Sequence, residues 1–178
     1  MPEVRVGSLR FAQPEEYKSA AAMFASGVTV VATRLDGEFH GITVSGFASL
    51  SISPVQVVAL ISRASRLHDM IQRSGSFAVS VLAEEQRAIA EHFATRGRAP
   101  APDFGTVPYL ARVTGSPILS GCLAYFDCSL ERRHDGGDHS LFIGSVLEAG
   151  ADPSRRPLIY FNRGYVSVHG LDSDQDGE

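Results

Sequence analysis

A strand–turn–strand pattern near the N-terminus constrains the fold of this chain more than any other feature. Residues 28–35 are rich in β-branched and apolar side chains, which favours an extended strand. Asp36-Gly37 follows directly, and this dipeptide is typical of the two-residue turn of a β-hairpin. Residues 38–45 return as the partner strand, so the pattern predicts an antiparallel sheet.

The rest of the chain continues with short strands and few helices. Further strands are predicted at residues 56–62, 77–82, 123–132, 140–147, 158–161 and 165–168, the last two closing the sheet. Helices are predicted at residues 14–26, 65–74 and 83–95, and residues 96–117 form a long irregular connection. The first helix carries an apolar stripe of Tyr17, Ala20, Ala21 and Phe24. No GxGxxG joins a strand to a helix, so one β-barrel with helical additions is favoured over a doubly wound fold.

Composition excludes some functions. The formal net charge is −4 and Lys18 is the only lysine, so the dense cationic surface that nucleic acids require is absent from the sequence. No apolar run reaches membrane-spanning length, and the first residues do not form a secretory signal, so a cytoplasmic location is expected. Cys122 and Cys128 fall in one predicted strand, where they are too far apart for a disulfide and are interpreted as small apolar residues.

The run from Ile42 to Pro54 alternates between two kinds of side chain. The even positions have no polar side chain, and the odd positions are hydroxyls apart from one phenylalanine: Thr43, Ser45, Phe47, Ser49, Ser51 and Ser53. Because the two sets face opposite sides of a strand, the even positions are expected to pack on the core. The run is long for one strand, and Gly46 is expected to mark a bend or a close backbone approach.

The odd positions carry no charge, unlike a strand that faces bulk water. Neutral hydroxyls both donate and accept hydrogen bonds, so they suit a ligand with carbonyls, ring nitrogens and polyol groups. A serine-rich edge strand with turn serines near Pro54 explains the same pattern, which by itself leaves both interpretations open.

The segment Ser62-Arg63-Ala64-Ser65-Arg66 joins a predicted strand to a predicted helix, with Ser65 as the N-cap. Free N–H groups at the helix start and the two arginines suit a phosphate. An ordinary capped helix with solvated arginines is the alternative.

Two predicted turns carry further candidates. His139 follows Gly136-Gly137-Asp138 at a hairpin tip, where an imidazole suits a phosphate, an amide or a nicotinamide. A metal interpretation is disfavoured there because no second Cys/His pair has ligand spacing. In the turn Asn162-Arg163-Gly164-Tyr165, Arg163 suits a dinucleotide phosphate and Tyr165 suits a ring, although a barrel-closing tyrosine explains Tyr165 equally well.

Taken in order, these segments resemble the flavin reductase domain of two-component flavoprotein monooxygenases, whose small reductase component supplies reduced flavin to a separate oxygenase. The matching pieces are residues 24–31, 41–47, 49–51 and 77–82, Gln86, and residues 93–94, 137–139 and 158–161. The resemblance implies a mainly β chain with short helices, an FMN-binding split β-barrel of Greek-key topology that works as a homodimer. We expect an N-terminal extension over residues 1–13, the reductase-like domain over 14–170 and a disordered acidic tail over 171–178.

The resemblance also implies ligand residues. The isoalloxazine and ribityl would lie along Thr43, Val44, Ser45, Gly46 and Phe47, with Ser49, Ser51, Ser62, Arg63 and Ser65 serving the ribityl and phosphate. Phe77 and Ser80 come from the strand at residues 77–82, with Ser80 near the ring edge, and the nicotinamide dinucleotide would contact His139, Asn162, Arg163 and Tyr165. The chain departs from the family at Gly46, where a serine is frequent, at Ser53-Pro54-Val55, which replaces an acidic-Pro-Pro turn, and at Ser80, where asparagine is frequent.

The activity so predicted is NAD(P)H:flavin oxidoreduction, in which FMN or FAD is reduced by hydride transfer and passed to a monooxygenase. The two nucleotides carry the chemistry, so His139, the one residue assigned a catalytic role, is expected to orient and balance charge. No metal is expected. Two alternatives are a flavin- or haem-binding split-barrel protein without reductase activity and a pyridoxamine-phosphate-oxidase-like enzyme.

Overall fold

The computed structural model describes residues 11–95, 97–101 and 104–168. The strands are β1 Ser26–Gly27, β2 Thr29–Leu35, β3 Glu38–Val44, β4 Phe47–Ile52, β5 Val55–Ser62, β6 Ser76–Val81, β7 Tyr109–Ala111, β8 Pro117–Leu119, β9 Ala124–Gly136, β10 His139–Ala151, β11 Ile159–Phe161 and β12 Gly164–Val166. The helices are α1 Pro14–Ala21, α2 Arg66–Ser74 and α3 Arg87–Ala94, and a 3₁₀ turn at Glu84–Gln86 precedes α3.

One antiparallel sheet dominates, with the strand order β3-β2-β6-β9-β10-β5-β4. Although β3 and β4 are the two edges of this order, β3 contacts β5, so the sheet curls into an incompletely closed barrel. Two buried clusters cover its two faces: Val31 of β2 belongs to the cluster around Phe77 and Phe142, and its neighbours Val30 and Ala32 belong to the cluster around Phe93 and Leu82. The mainly β split barrel expected from the sequence is confirmed.

The hairpin turn and the ends of helix α2 predicted from local sequence signals are confirmed. Asp36 and Gly37 both have positive φ (51° and 87°), as the hairpin turn between β2 and β3 requires. The Ser65 side chain accepts a hydrogen bond from Leu67 N at 3.2 Å and starts α2. Gly75, with φ 69°, ends that helix in the left-handed conformation.

The prediction for the first helix was partly wrong. Helix α1 ends at Ala21 rather than at residue 26, because Ser26 and Gly27 pair with β11. The helix buries none of its residues, and Phe24 just beyond it is 78% exposed. The apolar stripe therefore has no packing partner within the described part of the chain.

Three predictions about the strands were also wrong. The connection at residues 96–117 is not wholly irregular, since Tyr109–Ala111 pairs with Pro117–Leu119. Strands β11 and β12 do not close the main sheet but form a separate three-stranded sheet with β1. Cys122 precedes β9 instead of sharing that strand with Cys128, and both cysteines are free.

The run from Ile42 to Pro54 is not one strand with two uniform faces. Strand β3 ends at Val44, the chain turns at Ser45-Gly46 as the glycine suggested, and β4 begins at Phe47. A bulge in the β4–β5 pairing then places Ser49 opposite Val57 but Ser51 opposite Gln56, so the two serines lie on opposite faces. Beyond the turn the even positions do not reach the core, since Leu50 and Ile52 are exposed.

Among the residues described, no helix is both long and apolar enough to cross a membrane. The tail predicted over residues 171–178 and most of the extension predicted over 1–13 lie outside the described residues.

Candidate functional site

A cavity of about 420 Å³ lies in the gap of the split barrel. Three segments line it: the middle of β3, the loop that starts α2, and the chain at the end of α3. The lining residues are His40, Ile42, Thr43, Ser62, Ala64, Ser65, Arg66, Phe93, Ala94, Thr95, Gly97 and Arg98. Its volume is that of a small-molecule site.

The α2 wall has the chemistry of an anion site. Ser65 N donates to Ser62 O at 3.0 Å, and the Ser62 hydroxyl accepts from Ala64 N at 3.4 Å, so the loop is a compact turn that leads into the helix. The first N–H groups of α2 and its dipole favour negative charge there. Arg66, the first helical residue, adds a guanidinium on the cavity side.

The β3 wall contains a buried histidine. His40 is only 4% exposed, and its Nδ1 atom has no hydrogen-bond partner among the described residues. Burial, together with the charges of Arg98 and Arg66, lowers the pKa of His40 to about 4. The imidazole is therefore neutral at physiological pH. Nearby, the Thr43 hydroxyl donates to Ala90 O at 2.6 Å and ties β3 to α3.

The third wall is formed by Arg98 and Phe93. The guanidinium carbon of Arg98 lies 4.6 Å from the centroid of the Phe93 ring, and its Nη2 atom donates to the Gly41 carbonyl. Its Nε atom is buried and, within the described ranges, has no partner. Because unsatisfied buried polar atoms are rare, Arg98 and His40 stand out among the residues of the cavity wall.

The glycine-rich turn of the β9–β10 hairpin lies next to this anion site. In the β10–β5 pairing His139 is the partner of Ser62, and Arg63 N donates to Asp138 O at 2.9 Å. The His139 Nδ1 atom is 2.8 Å from a carboxylate oxygen of Asp138, and this hydrogen bond lowers the pKa of Asp138. The side chain of His139 is 46% exposed, so an outer ligand can reach it.

Other residues expected from the sequence fall in three environments. Thr43, Ser62 and Ser65 line the cavity, and Arg63 is exposed beside it. Ser45 and Ser49 are exposed, and Gly46 and Ser51 are half-buried on the β4 side of the barrel. Val44 is buried in the core and Phe47 packs on Phe126 with ring centroids 5.4 Å apart, so these two side chains serve the core.

Phe77 and Ser80 are not brought to the cavity. Phe77 is fully buried in the cluster around Phe142, and the Ser80 hydroxyl accepts a hydrogen bond from Leu119 N at 3.0 Å in the interior. Neither side chain has a free surface for a ligand, and we leave both out of the proposed site.

The turn at Asn162–Tyr165 also lies apart from the cavity. Asn162 and Arg163 form the β11–β12 turn with positive φ values of 47° and 63°. The Arg87 guanidinium covers the Tyr165 ring at 5.7 Å, and Arg87 begins α3, whereas the cavity lies at the other end of that helix. The turn therefore does not join the cavity within one chain.

Sequence reasoning missed His40, Phe93 and Arg98 as site residues. They come from different segments, and Arg98 lies in the proline-rich connection that was read as irregular. A histidine inside a predicted strand was the one signal available for His40.

Comparison with known proteins agrees with the fold. The flavin reductase like domain matches residues 21–169. The chain is 41% identical over 151 residues, 85% of its length, to the reductase component of 4-hydroxyphenylacetate 3-monooxygenase from Thermus thermophilus, of which the match covers 94%. It is 38% identical over 156 residues to the reductase subunit of a flavin-dependent monooxygenase from Rhodococcus jostii, covering 87% of this chain and 78% of that one.

Solved structures give the same result. The flavin reductase component of a bacterial two-component tryptophan halogenase superposes with a TM-score of 0.80 at 34% identity, covering 88% of this chain and 98% of that one. An NADH:FAD oxidoreductase from Streptomyces globisporus has a TM-score of 0.84 at 28% identity, with 92% and 100% covered. The chain belongs to the flavin reductase-like family of oxidoreductases.

Proposed function

We propose that the chain transfers a hydride from NADH or NADPH to FMN or FAD, works as a homodimer, and releases reduced flavin to a separate monooxygenase component. The observation that carries the proposal is the cavity in the split barrel, whose anion site at Ser62–Arg66 lies one strand from His139. Relatives named as NADH-dependent flavin reductases and as reductase subunits of monooxygenases support both the activity and the partner. They favour this function over flavin storage or a pyridoxamine-phosphate-oxidase-like activity.

The residues fit a phosphorylated flavin. In the proposed arrangement the flavin phosphate contacts Ser62, Ser65 and the start of α2, where helix N–H groups are directed outward. Backbone groups at the Ser45-Gly46 turn and the neighbouring hydroxyls bind the uncharged parts of the flavin. Among the described residues that line the cavity there is no carboxylate, so these side chains do not repel an anionic ligand.

Hydride transfer from nicotinamide C4 to flavin N5 is chemistry that the two nucleotides supply. The protein has to hold them face to face and exclude solvent, which requires hydrogen-bonding groups rather than an acid–base pair. His139, held by Asp138 at the edge of the anion site, is the proposed contact for the nicotinamide dinucleotide.

Exposed apolar side chains support the homodimer. Leu50, Ile52 and Val55 lie near the turn of the β4–β5 hairpin, where Ile52 is the partner of Val55, and all are at least 47% exposed, with Ile52 at 88%. A patch of this kind on an edge strand and its neighbour is typical of a protein interface.

The site assignment is tested by a kinetic comparison of His139→Ala with Ser62→Ala. We expect His139→Ala to raise the KM for NADH with little change for flavin, because the imidazole contacts the dinucleotide. Ser62→Ala should raise the KM for flavin by about 2- to 10-fold, the worth of one hydrogen bond.

His134→Ala is the matched control, since His134 is an exposed histidine on the same hairpin that lies opposite Leu141, whereas His139 lies opposite Ser62. If His139→Ala instead weakened flavin binding and left the KM for NADH unchanged, the two roles would have to be exchanged.

A further inference from the structure

The cavity holds more positive charge than one phosphate needs. The turn at Ser62–Ser65 and the N-terminus of α2 already provide donors for a single phosphate group. Arg66 and Arg98, which both line the cavity, add two guanidiniums, and the charges of both lower the pKa of His40. A cavity with two arginines in its wall suits a ligand with two adjacent negative charges.

Two buried polar atoms that lack partners among the described residues belong to side chains that line this part of the cavity. The Nδ1 atom of His40 and the Nε atom of Arg98 are buried without partners in the ranges described, and both residues line the cavity. A neutral imidazole beside two guanidiniums offers a hydrogen bond without adding a third charge. The half-buried Arg98 side chain is held in place by its bond to the Gly41 carbonyl and by the Phe93 ring, so it is preorganised.

We propose that His40, Arg66 and Arg98 bind the diphosphate bridge of a dinucleotide, next to the single-phosphate site at the start of α2. This inference rests on the proposed function and adds to it a preference for the type of nucleotide. Two ligands of the reaction carry such a bridge: FAD among the flavins, and the nicotinamide dinucleotide. FMN carries one phosphate and riboflavin none.

The test is the equilibrium binding of riboflavin, FMN, FAD and NAD⁺ to wild-type protein and to Arg98→Met, Arg98→Lys and His40→Asn, measured by calorimetry without turnover. We expect Arg98→Met to raise the dissociation constant of the dinucleotide that uses the site by at least about tenfold, since a hydrogen bond to a charged group is worth about 1.5–3 kcal/mol. The dissociation constant of FMN should rise at most slightly. Arg98→Lys should recover part of the loss, and His40→Asn should cause a smaller loss for the same ligand.

The pattern of losses identifies the ligand. A loss confined to FAD assigns the bridge to the flavin, and a loss confined to NAD⁺ assigns it to the nicotinamide dinucleotide. Equal losses for FMN and FAD would mean that these residues bind the shared phosphate, and would overturn the proposal, as would unchanged binding of all four.

Arg34→Met is the matched control. Arg34 stacks on Phe39 at 5.5 Å much as Arg98 stacks on Phe93, and it does not line the cavity. It should leave every dissociation constant unchanged. Wild-type protein that binds no flavin at all would refute the proposed function. If the wild type binds FMN and FAD and the variants bind all four ligands as well as the wild type does, only the diphosphate proposal is refuted.

Discussion

At the scale of single residues, His40 shows how burial changes chemistry. On the surface an imidazole takes up a proton near pH 6.5, but in the cavity wall the charged form loses its hydration and faces Arg98 and Arg66. The folded protein therefore keeps His40 neutral down to a pH of about 4. A neutral histidine can serve a ligand as a hydrogen-bond donor or acceptor over the physiological range.

This difference makes stability depend on pH. Below pH 6.5 the unfolded chain binds a proton at residue 40 that the folded chain does not bind, so the free energy of unfolding falls as the pH falls toward 4. Above pH 6.5 the contribution is constant. We expect a slope of at most about 1.4 kcal/mol per pH unit from this residue.

Urea unfolding of wild type and His40→Asn across this pH range measures the effect. The variant should lose part of the slope, while contributions from His68, His92 and the carboxyl groups remain in both proteins. Parallel curves for the two proteins would show that His40 is protonated to the same extent folded and unfolded.

At the scale of elements, position 46 requires a glycine because of close packing as well as because of the turn. A Cβ atom at position 46 would lie 2.9 Å from the Cβ of Leu60, closer than real contacts allow, and Leu60 N donates to Gly46 O at 2.7 Å. In this chain Leu60 therefore fills the space that the family's frequent serine would need.

The two positions should be coupled. We expect Gly46→Ser to destabilise the protein by about 1–3 kcal/mol, because the added atoms overpack the strand contact. Leu60→Ala should relieve part of that penalty when combined with it, because it removes the Cγ and Cδ1 atoms but keeps the Cβ. A double-mutant cycle from chemical unfolding measures the coupling. Simple additivity of the two effects would show that the serine finds room without moving Leu60.

Local sequence signals predicted where helices and turns lie better than which side of a strand each side chain faces. Helix α2 begins after Ser65 and ends before Gly75, and Asp36-Gly37 forms the turn between β2 and β3, as predicted. Caps and turns can be predicted because they depend on neighbouring residues. The hydroxyl run was misread because its period is interrupted twice, at the Ser45-Gly46 turn and at the β4 bulge. A bulge depends on the partner strand, so the run itself carries no sign of it.

At the scale of the whole molecule, the site is assembled from segments far apart in the sequence. Thr43, Ser62 and Ser65 were predicted from local pattern and family resemblance, and they do line one cavity. His40 and Arg98 are added by the way the barrel curls, which brings β3 against the ends of two helices. The feature that distinguishes them, a buried polar atom without a partner among the described residues, can be seen only in the folded structure.

The exposed apolar patch on β4 and β5 leads to a prediction about assembly. Wild type should have twice the 19.1 kDa mass of one chain, and Ile52→Glu should shift it toward the monomer, because a buried charge in an interface is costly. Light scattering coupled to gel filtration measures the mass.

Val113→Glu is the control, since Val113 is also exposed but lies outside the patch. A wild type that stays at 19.1 kDa, or an Ile52→Glu variant that remains as dimeric as Val113→Glu, would place the interface elsewhere or exclude it.

The central claim is that this chain reduces flavin with a reduced nicotinamide dinucleotide. Its most direct test is the loss of NADH or NADPH absorbance in the presence and absence of added FMN, FAD or riboflavin. We predict that the purified protein oxidises the nicotinamide dinucleotide only when a flavin is present, at a rate that saturates with flavin concentration. A rate that is the same with and without flavin, or no oxidation with any pair of nucleotides, would contradict the account.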